Sequence, residues 1–241
     1  MNITIDIGNT LVKIGLFNND KLITRFSRSA LSVKLISELQ NKYGTIDNAI
    51  ISDVTDGRKK IKNTLKGIPK QIFLNHKTPL PFANNYGTPA TLGTDRIALV
   101  AGALKYFPGK NVLVISAGTC VTYDFITVKK EYMGGSISPG LHMRLAALHH
   151  FTARLPLLKP KQIKMLGGKT TNDSILSGII NGTTYEMDGF INDYKKKFHD
   201  VQVILTGGDA ALFAERLKNS IFAAPELTLF GLNEILKHNV R

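Results

Sequence analysis

The feature that most constrains this chain is a short unit that it carries twice. Near the start, Ile3, Ile5 and Ile7 alternate with Thr4 and Asp6, Gly8-Asn9-Thr10 turns, and Val12, Ile14 and Leu16 resume the alternation. Such alternation marks a half-buried strand, and a glycine group between two such runs reads as a turn. The unit returns 110 positions later, from Gly8 to Gly118. There Val112 to Ile115 is an apolar strand, Ser116-Ala117-Gly118-Thr119 turns, and Val121 to Ile126 runs back. Pro108-Gly109-Lys110 reads as the boundary. The expected architecture is two similar α/β halves, 1–109 and 110–241, with a ligand cleft between them.

The remaining pattern fits helices flanking two sheets. Lys21 to Phe26, Ala49 to Val54, Gln71 to Leu74, Tyr132 to Ile137 and Val201 to Leu205 read as strands. Helical spacing joins Val33, Ile36, Leu39 and Tyr43, and puts Ile97, Val100, Ala101 and Leu104 on one face of a helix over Thr94 to Phe107. Further helices are expected over Arg58 to Leu65, Asn172 to Phe198, Ala210 to Leu217 and Gly231 to Lys237. Pro139 is expected in the first turn of another, running to about Phe151.

Composition narrows the class. With 241 residues and 43% hydrophobic content, the chain can bury a sizeable core and is not mainly disordered. No apolar stretch reaches the ~18 residues of a membrane helix, and MNITIDIGNT lacks a basic-then-apolar signal pattern. Cys120 alone makes no disulfide framework. A soluble cytoplasmic protein without a membrane partner is the expectation. The net charge of +13 is spread over Arg58-Lys59-Lys60, Lys159 to Lys169 and Lys195-Lys196-Lys197 with no interleaved aromatics, so solvated faces are expected rather than nucleic-acid binding.

Glycine turns at strand ends let backbone N–H groups approach phosphate oxygens. In Asp6 to Thr10, Asp6 can hold a hydrated Mg²⁺, Gly8 can reach phosphates and Thr10 can donate its hydroxyl, with the charge of Lys13 close behind. Alone, that pattern suits a tight hairpin better than a phosphate site. The second turn, together with Leu205-Thr206-Gly207-Gly208-Asp209, completes a set resembling a nucleotide cradle with two phosphate loops and an adenosine loop. Neither GxxxxGK[ST] nor GxGxxG is present, which leaves two commoner nucleotide folds unsupported.

Taken in order, Asp6-Ile7-Gly8-Asn9-Thr10, Gly93-Thr94-Asp95-Arg96, Ala117-Gly118-Thr119, Gly134-Gly135-Ser136-Ile137-Ser138-Pro139-Gly140, Thr152-Ala153-Arg154-Leu155-Pro156 and Thr206-Gly207-Gly208 resemble the type III pantothenate kinases. That family lies within the actin, heat-shock ATPase and sugar kinase superfamily. The resemblance implies two actin-like (ribonuclease-H-like) domains and ATP-dependent phosphorylation of pantothenate, the first step towards coenzyme A. It implies that Asp6, Ile7, Gly8, Asn9, Thr10, Leu11, Val12 and Lys13 bind ATP phosphates, that Thr119 touches ATP, and that Asp6 holds Mg²⁺. Gly93, Thr94, Asp95 and Arg96 would bind pantothenate, with Asp95 accepting the proton, and Tyr86 and Thr171 would contact the substrate. A homodimer is implied as well. The long helix, with Ile175, Ile179, Met187 and Ile191 among broadly spread apolar positions, is its expected seat.

One position departs from the family pattern. Ser116 stands where most members have an aspartate associated with K⁺ or NH₄⁺, so weak or absent potassium activation is expected, with Asp124 as a possible substitute. Competing readings are a kinase of another small hydroxylated acid or sugar, and a catalytically silent accessory or regulatory protein of the same fold. Blander roles are expected elsewhere. His149 and His150 lack the i, i+4 spacing of a helical metal pair, Cys120 reads as a core thiol, and Glu186 and Asp188 read as solvent-facing charges unless they border a dimer-borne pocket. For Thr171, capping the long helix competes with ligand contact.

Overall fold

The computed structural model describes residues 1–8, 11–53 and 58–240, with side chains for all of these except 58–60. The chain divides into two compact units. One comprises Met1–Pro108, Lys129–Tyr132 and the closing segment from Glu226; the other comprises Gly109–Val128 and Met133–Pro225.

The first unit is built on β1 (Asn2–Ile7), β2 (Val12–Asn18), β3 (Lys21–Arg28), α1 (Val33–Tyr43), β4 (Asn48–Asp53), α2 (Arg58–Thr64) and β5 (Lys70–Phe73). Its five-stranded sheet has the order β3-β2-β1-β4-β5. The β1–β2 and β2–β3 pairs are antiparallel, whereas β1–β4 and β4–β5 are parallel. Ile3, Ile5, Ile14 and Leu16 bury one face of the sheet with Ile36 and Leu39 of α1 and Ile61 and Leu65 at α2. Ser32 caps α1, its Oγ accepting from the Leu35 N–H at 3.2 Å. Ala49, Ile50 and Ile51 of β4 are all buried, as a strand covered on both faces requires, so its sequence is a continuous apolar run. At the edge, β3 keeps alternate residues exposed and carries Lys21, Arg25 and Arg28, charges that discourage further strand pairing.

Next come β6 (Ala83–Asn84), a 3₁₀ turn over Pro89–Thr91 and α3 (Thr94–Tyr106). The second unit contains β7 (Asn111–Ala117), β8 (Cys120–Ile126), most of β9 (Glu131–Pro139), α4 (Leu141–His150), α5 (Thr171–Lys197), β10 (Val201–Thr206), α6 (Ala210–Ala214) and β11 (Phe222–Ala223). Its strand order is β11-β10-β7-β8-β9. With β7–β8 antiparallel and β10–β7 parallel, it repeats the plan of the first sheet strand for strand. The duplicated motif of the sequence is therefore a duplicated fold. Glu131 and Tyr132, which open β9, pair in parallel with β6 and belong to the first unit.

The closing helix α7 (Leu227–Val240) departs from the two-halves expectation, because it packs with α3 in the first unit. Gly231 makes this possible. A Cβ there would lie 1.7 Å from the Ala98 carbonyl oxygen, so only glycine lets the two helices come so close. Packing by α7 also explains why Ile97 through Ala103 are buried all round α3 instead of on one face. The helix is longer than the Gly231 to Lys237 expected from the sequence, beginning at Leu227 and running to Val240. Pro139 is likewise corrected: it ends β9, and Gly140 caps α4. In the long helix α5, Ile175, Ile179, Met187 and Ile191 are buried in the core of their own unit, which removes those side chains as the argument for a dimer.

Candidate functional site

The first cluster forms where β1 and β4 end and β2 begins, beside the start of α3. Asp6 stands in register with Lys13 on β2 and Ser52 on β4, so the three side chains share one face of the sheet. Ser52 Oγ lies 3.0 Å from Thr94 Oγ1. Either hydroxyl of that pair can be the donor. Burial pushes the Asp6 carboxyl up to about 6; Lys13 opposes the shift, Asp95 adds to it and the Ser52 hydrogen bond opposes it. Two carboxylates are thus brought within each other's field at the N-terminus of α3.

Asp95 occupies the first turn of α3, where the helix dipole favours negative charge. Its Oδ1 accepts from the Arg96 N–H at 2.9 Å. Arg96 itself is only 4% exposed, and its guanidinium lies over the Tyr86 ring at 5.6 Å. Tyr86 in turn stacks on Tyr132, with centroids 6.2 Å apart and planes 16° from parallel. The structure therefore gathers Asp6, Lys13, Thr94, Asp95, Arg96 and Tyr86 in one unit, all but Tyr86 on a strand or on α3, and Tyr86 just after β6. Gly93 precedes α3 as its N-cap. Tyr132 was not among the residues singled out from sequence, because its pairing beside β6 is a long-range contact.

Other parts of the proposed phosphate stretch fare differently. Gly8 donates its N–H to the Leu11 carbonyl at 3.1 Å and closes the hairpin. Ile7 and Val12 point into the core, Leu11 is exposed, and Asn9 and Thr10 lie outside the described residues. Among ligands of stated chemistry, a hydrated Mg²⁺ fits here. Burial, with a smaller contribution from the Asp95 charge, raises Asp6, and a cation relieves both; Mg²⁺ is commonly held by one or two carboxylates plus substrate phosphates.

The second unit supplies another turn. Gly118 donates to the Cys120 carbonyl at 3.0 Å, and Thr119 is exposed. Two flanking segments bind this turn through backbone alone: the Asp209 N–H donates to Ala117 O at 2.9 Å, and the Gly140 N–H to Thr119 O at 3.1 Å. Beside it lies a cavity of about 690 Å³, lined by residues that include His142, Leu158, Lys159, Gly208, Asp209 and Leu212. Burial raises the Asp209 carboxyl, and His142 partly counters it. A strand-end turn next to a mostly apolar cavity is a suitable seat for phosphates and a ring system.

Ser116 pairs with Thr122 across β7–β8 and with Thr206 across β7–β10, so all three hydroxyls share a face. Asp124, fully buried at 0% exposure, lies on that face one pair further along, opposite Val114. Diagonal neighbours of this kind are separated by roughly 7 Å. Thr171 is exposed in the first turn of α5, and it is Thr170 whose Oγ1 caps the helix, accepting from the Asp173 N–H at 3.2 Å. Capping therefore does not account for Thr171. His149 turns its Nδ1 to the Leu155 carbonyl at 2.7 Å. Among the described residues no cluster of three or more His, Cys, Asp or Glu could hold a metal.

The two acids expected to face solvent do not. Asp188 is buried and accepts from the backbone of Lys218 and Asn219 at 3.1 and 3.2 Å. Glu186 is half-buried at the centre of a hydrogen-bonded cluster. Helical spacing alone carries no signal for either role.

The family model for type III pantothenate kinase matches residues 2–193. A type III pantothenate kinase of Christiangramia forsetii is 48% identical over 241 residues, covering 99% of both chains. One from Cytophaga hutchinsonii is 45% identical over 240 residues and covers all of both. Among solved structures, a Campylobacter jejuni protein assigned to the Baf family of transcriptional activators superposes with a TM-score of 0.62 at 21% identity, over 98% of each chain. A ROK family glucokinase from Streptomyces griseus, solved with glucose and AMPPNP, gives 0.54 at 12% identity over 98% of this chain and 99% of its own. The structural likenesses place the fold among actin-like sugar kinases and ATPases, and the sequence relatives, matched from end to end, are specific: this chain belongs to the type III pantothenate kinases.

Proposed function

We propose that the protein transfers the γ-phosphoryl group of ATP to the primary hydroxyl of pantothenate, producing 4′-phosphopantothenate and ADP in the first step towards coenzyme A. The observation that carries this reading is the Asp95 carboxylate at the start of α3 beside the Arg96 guanidinium on its aromatic support. Phosphoryl transfer asks mainly for positioning, charge neutralisation and one carboxylate to orient the attacking hydroxyl. Asp95 Oδ1 is held by the Arg96 N–H, which leaves Oδ2 for the substrate hydroxyl. The hydroxyl oxygen attacks phosphorus as its proton passes to Asp95, and the β–γ bridging P–O bond breaks with its electron pair leaving on ADP. Arg96 suits the pantothenate carboxylate, which a guanidinium grips with two parallel bonds. Tyr86 and Gly93 to Arg96 would bind the substrate, and Thr171 is a further candidate contact.

Asp6, Gly8 and Lys13 are the candidates for holding the ATP phosphates, and Thr119 is a further candidate ATP contact. Mg²⁺ would be held by Asp6, with Asp95 close enough to sense it, and would neutralise phosphate charge. A cytoplasmic location suits this role; among the described residues no helix is long and apolar enough to cross a membrane.

A coupled ADP-release assay with ATP, Mg²⁺ and pantothenate, run against a panel of sugars, tests the reading. Pantothenate alone should stimulate ADP release. Stimulation by an unrelated sugar to the same level, or none by pantothenate, would sink it and favour another substrate or a silent accessory protein.

Two finer points belong to the same reading. A homodimer is expected in solution, and light scattering at micromolar concentration that returns the 26.5 kDa monomer mass would reject it. Potassium activation should be weak. Ser116 offers a hydroxyl without charge, and the Asp124 carboxylate lies opposite Val114, one pair further along the same face. Titrating KCl against choline chloride at constant ionic strength should show little response, while Ser116→Asp should create one. A strong, saturable potassium requirement in the native protein would contradict this.

A further inference from the structure

The cluster around Glu186 has no part in the chemistry described so far, yet four elements converge on it. From β8, Tyr123 Oη donates to Glu186 Oε1 at 2.8 Å; from β9, Ser138 Oγ donates to the same oxygen at 2.5 Å. From α4, Arg144 Nη2 donates to Glu186 Oε2 at 2.5 Å, and it also reaches Ser138 Oγ at 3.2 Å. Burial alone would raise the Glu186 carboxyl, but the hydrogen bonds from Ser138, Arg144 and Tyr123 outweigh it and hold the group below the usual range. A half-buried carboxylate with three donors is fixed in place, and it fixes the arginine in turn.

Arg144 uses its remaining direction on the main chain. Its Nε donates to the Pro139 carbonyl at 2.7 Å. The same peptide plane carries the Gly140 N–H, which donates to the Thr119 carbonyl at 3.1 Å. Gly140 is also pressed against the turn, since a Cβ there would lie 2.1 Å from the Gly118 carbonyl oxygen and 2.4 Å from that of Thr119. One rigid peptide is thus held at one end by Arg144 and at the other by the glycine turn. A rotation of that plane moves the backbone of Thr119.

We propose that Glu186 and Arg144 are positioning residues for the nucleotide, acting through the Pro139–Gly140 peptide to hold the Gly118–Thr119 turn in its phosphate-binding geometry. Neither side chain needs to touch ATP. The inference rests on the reading of Thr119 as an ATP contact. It adds a remote determinant of nucleotide affinity, separate from Asp95 and Arg96, which act on pantothenate.

The test is steady-state kinetics of the full chain, with kcat and both KM values measured for Arg144→Ala, Glu186→Ala, Glu186→Gln, the double alanine variant and Thr119→Val, and melting temperature recorded alongside. Arg144→Ala and Glu186→Ala should each raise the ATP KM about tenfold while the pantothenate KM stays within twofold. The double variant should be no worse than the poorer single one, because both side chains act on one peptide. Glu186→Gln, which keeps acceptor and size, should recover part of the loss, as a merely destabilising change would not. Should Arg144→Ala fail to fold, Arg144→Lys carries the same expectation, because it keeps the charge but loses the forked geometry. An ATP KM within twofold of native, equal rises in both KM values, or multiplying effects in the double variant would overturn the proposal. An unchanged ATP KM in Thr119→Val would overturn the nucleotide reading of the turn and the inference with it. A weakened Thr119→Val beside native-like Arg144 and Glu186 variants would overturn the inference alone.

Discussion

Asp95→Asn is expected to lower kcat by about 10²–10⁴-fold, the range that a general base contributes. In free-energy terms the middle of that range is about 4 kcal/mol of transition-state stabilisation. The change is nearly isosteric, and the amide oxygen can still accept from the Arg96 N–H that Asp95 Oδ1 now engages at 2.9 Å. The start of α3 should therefore keep its geometry, with only the proton acceptor removed. A second readout is independent of turnover. The Asp95 charge helps to raise the Asp6 carboxyl, so without it Asp6 should titrate below its present value of about 6, as followed by carboxyl NMR in the metal-free protein. Near-native kcat in a folded variant would take Asp95 out of the mechanism.

Gly231→Ala should cost stability, against the usual sign of such a change. In an ordinary helix interior, alanine is favoured over glycine by up to about 1 kcal/mol. Here the added Cβ would meet the Ala98 carbonyl oxygen at 1.7 Å and the Gly102 nitrogen at 2.7 Å. Both are backbone atoms and cannot rotate aside, so α3 and α7 must separate along their packed length. Overpacking of this kind costs about 1–3 kcal/mol and sometimes more, which exceeds the helix gain. A net loss of about 2 kcal/mol would lower Tm by roughly 4–8 °C for a chain of this size. Thermal unfolding followed by circular dichroism decides it, and an unchanged or raised Tm would show that the helices move apart freely.

Local signals carried the sheet cores a long way. The β1–β2 and β7–β8 hairpins are written as alternation around glycine, and the repetition of that motif matches two sheets with the same strand plan. What escaped is non-local. Nothing within Leu227 to Val240 says that its partner is α3, because the determinant is the space beside Gly231. Tyr132 reads as a strand residue until β6 and Tyr86 are laid against it. Glu186 and Asp188 look like ordinary helix acids, and only residues distant in sequence reveal one as a hub and the other as an acceptor for the turn at Lys218 and Asn219. Among the candidate residues, the family resemblance pointed to Asp6, Asp95, Arg96 and Tyr86, which the structure brings together in one unit, whereas the aromatic support beside Tyr86 needed three dimensions.

The pairing of α3 with α7 also has a consequence for biogenesis. Helix α3 is buried on nearly all sides by the time the chain has folded, and α7 covers much of it. Yet α7 follows the entire second unit in the chain. During synthesis, at roughly 5–20 residues per second, the nascent first unit must wait with the apolar flank of α3 uncovered while the intervening unit emerges. The second unit meets no such delay, since its strands and helices are contiguous apart from the short Lys129–Tyr132 excursion. Order of emergence and order of completion are thus inverted: the half made first is finished last, and that exposed helix is where a nascent-chain chaperone would find its foothold.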